Sequence, residues 1–247
     1  MTATIQKIEK PIRARAWDTS GNNNHGQIYS GRALEFDGVT DYIVTTDPFN
    51  YTPITISCWV NTADDGDSKT IFSNRKNGTT KGAMLYVDAN EEIVFKVENV
   101  NTTAIAITAG RWYHIVATYS GTVQKVFING VLTQTESRTE TALDTDTNAM
   151  IGGDSLPASG SQYFFNGRVS EVAIYSSDLS VSQVRTLYNS REPYNHKEGV
   201  ANRHLEAWYR MGDLQERTSG TIYDMSNNSN NGTKYNSPNS NFQGDTP

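Results

Sequence analysis

The chain has 247 residues, with 21 lysines and arginines against 27 aspartates and glutamates, a net charge of -6 and a single cysteine. An acidic chain with scattered cations assembles no basic face for nucleic-acid phosphates, and one cysteine excludes an intrachain disulfide framework. The hydrophobic share of 36% lies below that of an average globular domain, and Asn, Thr and Ser fill the difference, which points to many turns.

Taken in chain order, Met1–Lys10 carries no apolar leader segment, and no apolar run further on reaches membrane-spanning length. The four histidines, His25, His114, His196 and His204, stand too far apart for a zinc spacing. From Ile54 the sequence alternates with period two, placing Ile54, Ile56, Cys58 and Val60 on one face and Ser57 and Trp59 on the other. Cys58 therefore reads as a core residue rather than a nucleophile. Ala83 to Val87 and Ile93 to Val97 form the arms of a hairpin around Asp88–Glu92. Tyr113 to Tyr119 is a further strand. In Val126-Phe-Ile-Asn-Gly-Val-Leu132 an Asn-Gly pair between apolar runs marks a two-residue hairpin turn. Gly167 to Tyr175 is the closing strand. Ser180 and Gln183 then form a capping box, with Leu179 and Val184 as its hydrophobic staple. A short helix follows, with Val181, Val184, Leu187 and Tyr188 on one face, and Pro193 stops it soon after. Many short strands with Gly and Asn turns and a single helix predict an all-β sandwich.

The sequence also repeats itself. Asp18-Thr-Ser-Gly-Asn-Asn-Asn-His-Gly-Gln-Ile-Tyr29 returns 206 residues later as Asp224-Met-Ser-Asn-Asn-Ser-Asn-Asn-Gly-Thr-Lys-Tyr235. Such an offset is no solenoid period; a second copy of the opening segment begins near Leu205.

These segments carry a family resemblance. The Asp18–Gly26 loop, Gly31-Arg-Ala-Leu-Glu-Phe-Asp-Gly-Val-Thr-Asp-Tyr42, Ile54–Val60, Arg111-Trp-Tyr-His-Ile-Val-Ala117, Phe127–Gly130 and Asn166–Tyr175 with Leu179-Ser180 resemble, in the same order, the LamG-like (laminin G type, concanavalin A-like) domains. The resemblance implies a jelly-roll sandwich of two antiparallel sheets, with one short helix near the C-terminal end of the domain. The expected organisation is an N-terminal arm over 1–14, the sandwich over 15–190, a linker over 191–204 and a C-terminal segment over 205–247. The opening strand usual in the family is missing before Ala16 and stands instead at Leu205-Glu-Ala-Trp-Tyr-Arg-Met-Gly-Asp213. That segment either supplies the missing strand, to its own chain or to a neighbour, or begins a truncated second copy; an open edge left without it favours the first.

Hydrolases of this fold carry a Glu-x-Asp-x-x-Glu strand with two paired carboxyls. Glu35-Phe-Asp-Gly-Val-Thr40 begins that pattern and fails at Thr40, so a non-catalytic module is expected. By the resemblance, a calcium ion would be held by Asp18, Asp41 and Glu171, whose oxygens suit a hard cation; Ser170-Glu171 stands where many members have Asp-Glu. Trp59, Tyr86 and Tyr113 are candidate aromatic platforms for a sugar. The functional expectation is a recognition or structural module of a phage virion, a capsid decoration or tail-fibre protein. Its partners would be glycans or other virion proteins, and it would self-associate through the C-terminal segment. The alternative is an extracellular carbohydrate-binding module.

Overall fold

The computed structural model describes residues 15–16, 26–27, 33–75, 81–138, 142–145, 147–154, 163–189, 194–199, 201–213, 216, 218–238 and 241–244. The first strands are β1 (Arg15–Ala16), β2 (Gly26–Gln27), β3 (Ala33–Asp37), β4 (Tyr42–Thr45), β5 (Ile54–Thr62) and β6 (Lys69–Ser73). The middle of the chain gives β7 (Ala83–Val87), β8 (Glu92–Val97), β9 (Val100–Asn101), β10 (Ile105–Ala106), β11 (Trp112–Tyr119), β12 (Val123–Ile128) and β13 (Val131–Ser137). Then come β14 (Met150–Ile151), β15 (Asn166–Tyr175), α1 (Val181–Tyr188), β16 (Leu205–Tyr209), β17 (Thr221–Ile222), β18 (Gly232–Tyr235) and β19 (Phe242–Gln243).

Two antiparallel sheets result. The front sheet runs β13-β12-β11-β5-β15-β3-β19, with β16 also on β15; the back sheet runs β10-β8-β7-β6-β14-β4-β18-β17, with β9 on β8. The alternation seen in the sequence decides the core. Ile54, Ile56, Cys58 and Val60 of β5 face Leu85, Val87, Ile93 and Phe95 of the back sheet within one buried cluster. Burial drives the Cys58 thiol pKa up, in keeping with a packed, unreactive side chain. The Asn-Gly turn between β12 and β13 has positive φ at both residues, 51° at Asn129 and 77° at Gly130, the twist that suits a tight hairpin.

The front sheet has a second apolar layer on its outer side. Val116, Phe127, Ala173, Tyr175 and Trp208 pack there against Leu179, Val184 and Leu187. The helix that covers them starts at the capping box of Ser180 and Gln183.

Residues from 205 onward pair within the same chain. β16 lies on β15, β18 lies on β4 and β19 lies on β3. β15 therefore borders β3 with its first half and β16 with its second. Glu171 stands where the neighbour changes, in a bulge with φ of 51°, a conformation uncommon for a residue with a side chain. The two copies of the repeat share one register. Arg15 and Ala16 pair with Gln27 and Gly26, and Thr221 and Ile222 pair with Thr233 and Gly232, every position shifted by 206. The first copy forms its own two-stranded ribbon, whereas the second is built into the back sheet.

Candidate functional site

The outer face of the back sheet carries the candidate site. In β7 the residues Ala83, Leu85 and Val87 turn inward, so alternation sends Met84 and Tyr86 outward. In β8 the same rule turns Ile93, Phe95 and Val97 inward and Lys96 outward. These outward residues, with Ser68, Arg75, Asp154 and Tyr163, line a cleft of about 400 Å³, within the size range of small-molecule sites.

Its floor is a buried ion pair. The Arg75 guanidinium donates to Asp154 Oδ2 at 2.9 Å, and the Ser73 hydroxyl donates to Oδ1 at 2.8 Å. Both carboxylate oxygens are thereby oriented, and Asp154 is only 2% exposed. The Tyr86 ring stands beside this pair, its hydroxyl accepting a long hydrogen bond from Asn101 Nδ2 at 3.4 Å. Burial, then the nearby Asp88 carboxylate, raises the Tyr86 phenol pKa. Tyr163 lies at the rim and is 45% exposed. Burial, reinforced by the Arg75 charge, lowers the pKa of Lys96, while Asp154 acts the other way. Two rings, an oriented guanidinium–carboxylate pair and an ammonium thus converge on one open cleft. Rings offer flat apolar surfaces, and the pair offers donors and acceptors to neighbouring hydroxyls.

Of the aromatic candidates from the sequence, Tyr86 alone reaches this cleft. Trp59 does lie opposite the core-facing residues of β5, but that face is covered. It is 4% exposed, with its ring 5.8 Å from Tyr188 of α1 and 5.1 Å from His114. His114 shares a hydrogen bond of 3.0 Å with the Ser57 hydroxyl, and burial pushes its pKa down to about 3. It is a neutral packing residue. Tyr113 shares no face with Tyr86: it packs against the inter-sheet core and its hydroxyl accepts the Thr108 N–H at 3.1 Å. The expectation of an exposed ring thus fails for Trp59 because a helix arrives over it. It fails for Tyr113 because odd-numbered residues of β11 point inward.

Of the three calcium candidates, Asp41 and Glu171 do not share one ion. Asp18 lies outside the described residues. Asp41 sits in the turn after β3, 1% exposed. Its Oδ2 accepts the Asp37 N–H and Asn241 Nδ2, and its Oδ1 has no hydrogen-bond partner among the described residues. Burial and the neighbouring Asp37 charge raise its pKa. Glu171 lies past the other end of β3, since Asn166 pairs with Asp37 and Val169 with Leu34. At strand spacing that is roughly 15 Å from the Asp41 turn, whereas calcium ligands gather at about 2.3–2.6 Å from the ion. Glu171 is instead engaged by the Trp208 indole N–H at 2.6 Å. Among the described residues no group of three or more His, Cys, Asp or Glu side chains is placed to hold a metal.

Arg75, Lys96, Asp154 and Tyr163 were not singled out from the sequence. They are spread over nearly ninety positions with no fixed spacing; the alternation of β7 and β8 was the one available signal, and it reaches only Tyr86 and Lys96.

The profile of the concanavalin A-like lectin/glucanase superfamily, in its Laminin_G_3 form, matches residues 37–185. The chain belongs to that superfamily. The LamG-like resemblance read from the motifs is thereby established, and the two sheets form the jelly-roll sandwich it implies. Among solved structures, this LamG-like chain resembles a proposed carbohydrate-binding protein of Bacteroides ovatus ATCC 8483. Identity is 20% and the TM-score 0.65, over 87% of this chain and 62% of that one. The chain thus spans less than two thirds of that protein's length. It also resembles the CBM40 of a Ruminococcus gnavus IT-sialidase bound to α2,3-sialyllactose, with 17% identity, TM-score 0.53, and 65% and 100% of the two chains covered. The SAP-like pentraxin of Limulus polyphemus is similar at 17% identity and TM-score 0.50, over 64% of this chain and 81% of that one. At these identities the likeness concerns the fold. A search of curated protein sequences returned no match.

Proposed function

We propose that this LamG-like domain is a non-catalytic carbohydrate-recognition module that binds a saccharide in the back-sheet cleft. The observation that carries the reading is the convergence of Tyr86 and Tyr163 on the oriented Arg75–Asp154 pair. A sugar ring presents C–H groups to an aromatic face and hydroxyls to a paired donor and acceptor, and a site built to hydrogen-bond hydroxyls rejects analogues that lack them. The carbohydrate-binding descriptions of the Bacteroides and Ruminococcus neighbours support the reading. A non-catalytic role accords with Thr40 standing where a hydrolase of this fold needs its second acid. Titration of a glycan panel against the intact chain and Tyr86→Ala tests it, with binding expected only for the former.

The doubled opening segment favours a second reading, in which the module works in a virion as a decoration or fibre component. Two copies of one completing hairpin with one register suit exchange of segments between chains during assembly. Native mass spectrometry checks this: a defined oligomer that dissociates on removal of residues 205–247 supports exchange, and a monomer at all concentrations counts against it.

A further inference from the structure

We infer that the ligand of the back-sheet cleft is an anionic saccharide, with its carboxylate or sulfate seated at Lys96 and its sugar ring against Tyr86 and Tyr163. The inference rests on the carbohydrate-binding reading and adds the charge of the ligand to it.

Several of the chain's other partly or wholly buried cations are held by protein groups. Lys69, on the neighbouring strand β6, is neutralised by Asp65 at 2.8 Å and by Glu91. Arg75 is held by Asp154. Lys234 donates to the Glu216 carbonyl and lies over the Phe242 ring. Among the described residues Lys96 has no such group and, unlike Lys125, which is equally half-buried without one, it lines the cleft. It is half-buried on the cleft wall, and among the described residues it makes no hydrogen bond and no ion pair. A partly desolvated ammonium without a directly paired counter-charge is unfavourable in the free protein. A ligand anion relieves that cost, so the interaction is stronger there than at an open surface.

The acids around Lys96 form no ion pair with it; Asp154 favours its charged form through space alone. Each oxygen of Asp154 already accepts one hydrogen bond, from Arg75 or from Ser73, and neither forms an ion pair with Lys96. Asp88, at the end of β7, spends its Oδ1 on the N–H groups of Asn90 and Glu92 in the hairpin turn. Among the described residues the lining offers two cations, Arg75 and Lys96, against the one carboxylate of Asp154, on a chain whose net charge is -6. A local excess of positive charge in a cleft of an acidic protein steers anions to it. The lowered Lys96 pKa, caused by burial and by Arg75, agrees with an ammonium that lacks a partner. A compact point charge of this type accepts carboxylate and sulfate alike.

The test compares matched probes by calorimetry at low and at physiological salt: hexuronate oligomers, sialylated lactose and sulfated galactan oligosaccharides, each against its neutral counterpart. The probes are titrated into the wild-type chain, Lys96→Gln and Lys96→Arg, with melting temperature as the folding control. At least one anionic probe is expected to bind tenfold or more tighter than its neutral counterpart, with the preference weakened by salt, lost in Lys96→Gln and retained in Lys96→Arg. The carboxylated and sulfated arms then identify the anion. Equal binding of neutral and anionic probes, or a preference that survives Lys96→Gln, overturns the inference and leaves the carbohydrate reading standing. No binding of any probe overturns both.

Discussion

The two sheets of this sandwich turn very different outer faces away from their shared core. The front sheet's outer face is roofed: Trp59 and His114 lie under Tyr188 of α1, and Trp208 lies under the same layer as Leu187. No described element roofs the outer face of the back sheet at Tyr86, Lys96 and Arg75, which line a cleft there. The same rule of alternation placed Trp59 and Tyr86 on outward faces. What separates a structural ring from a ligand platform is what the rest of the chain brings over it, and α1 arrives more than 120 residues after Trp59. The same mutation, aromatic to alanine, therefore has opposite consequences on the two faces.

The largest effect is expected at the roofed face. Trp59→Ala removes a buried indole and leaves a cavity, costing about 3–5 kcal/mol of stability in urea unfolding, while saccharide affinity of the remaining folded protein is unchanged. Asp154→Ala comes next, because Arg75 is then left without its buried carboxylate. Removal of one partner of a buried pair costs about 3 kcal/mol, and here saccharide binding is lost as well.

A pH effect is expected from two buried acids, neither of them in the cleft lining. Burial raises Glu171 to about 8 against the opposing pull of Arg210 and the Trp208 indole, and burial with Asp213 raises Glu216 to about 8. These acids stay protonated in the fold while they ionise in the unfolded chain above pH 4.5. Their stabilising effect is complete below pH 4.5 and is lost as pH rises through 8. Urea midpoints should fall steadily across that window, and Glu171→Gln, which keeps an amide oxygen for Trp208, should flatten the slope. A pH-independent midpoint between 5 and 8 would refute the assignment. The smallest stability effect is expected at the cleft: Tyr86→Ala should shift stability by about 1 kcal/mol or less, since a partly exposed ring loses little burial, yet it should weaken saccharide binding at least tenfold.

Much of the fold could be read from sequence because local physics determined it. Four inward residues in β5, the Asn129-Gly130 turn and the Ser180–Gln183 capping box all depend on neighbours within a few positions. The repeat was visible too, and its two copies pair in one register. The sequence did not disclose that the second copy sits on β4 while the first forms a separate ribbon. The site was far less legible. Arg75 and Asp154 meet only because β6 and β14 are neighbours, and Glu171 meets Trp208 only because β16 takes over from β3 along β15. Residue type suggested calcium for Glu171, and strand register separated it from Asp41.

The most direct test of the central claim is a glycan array probed in parallel with the wild-type chain and Tyr86→Ala at matched melting temperature. The account predicts saccharide signals from the wild type that disappear with Tyr86→Ala. Identical signals from both chains, or none from the folded wild type, would contradict it.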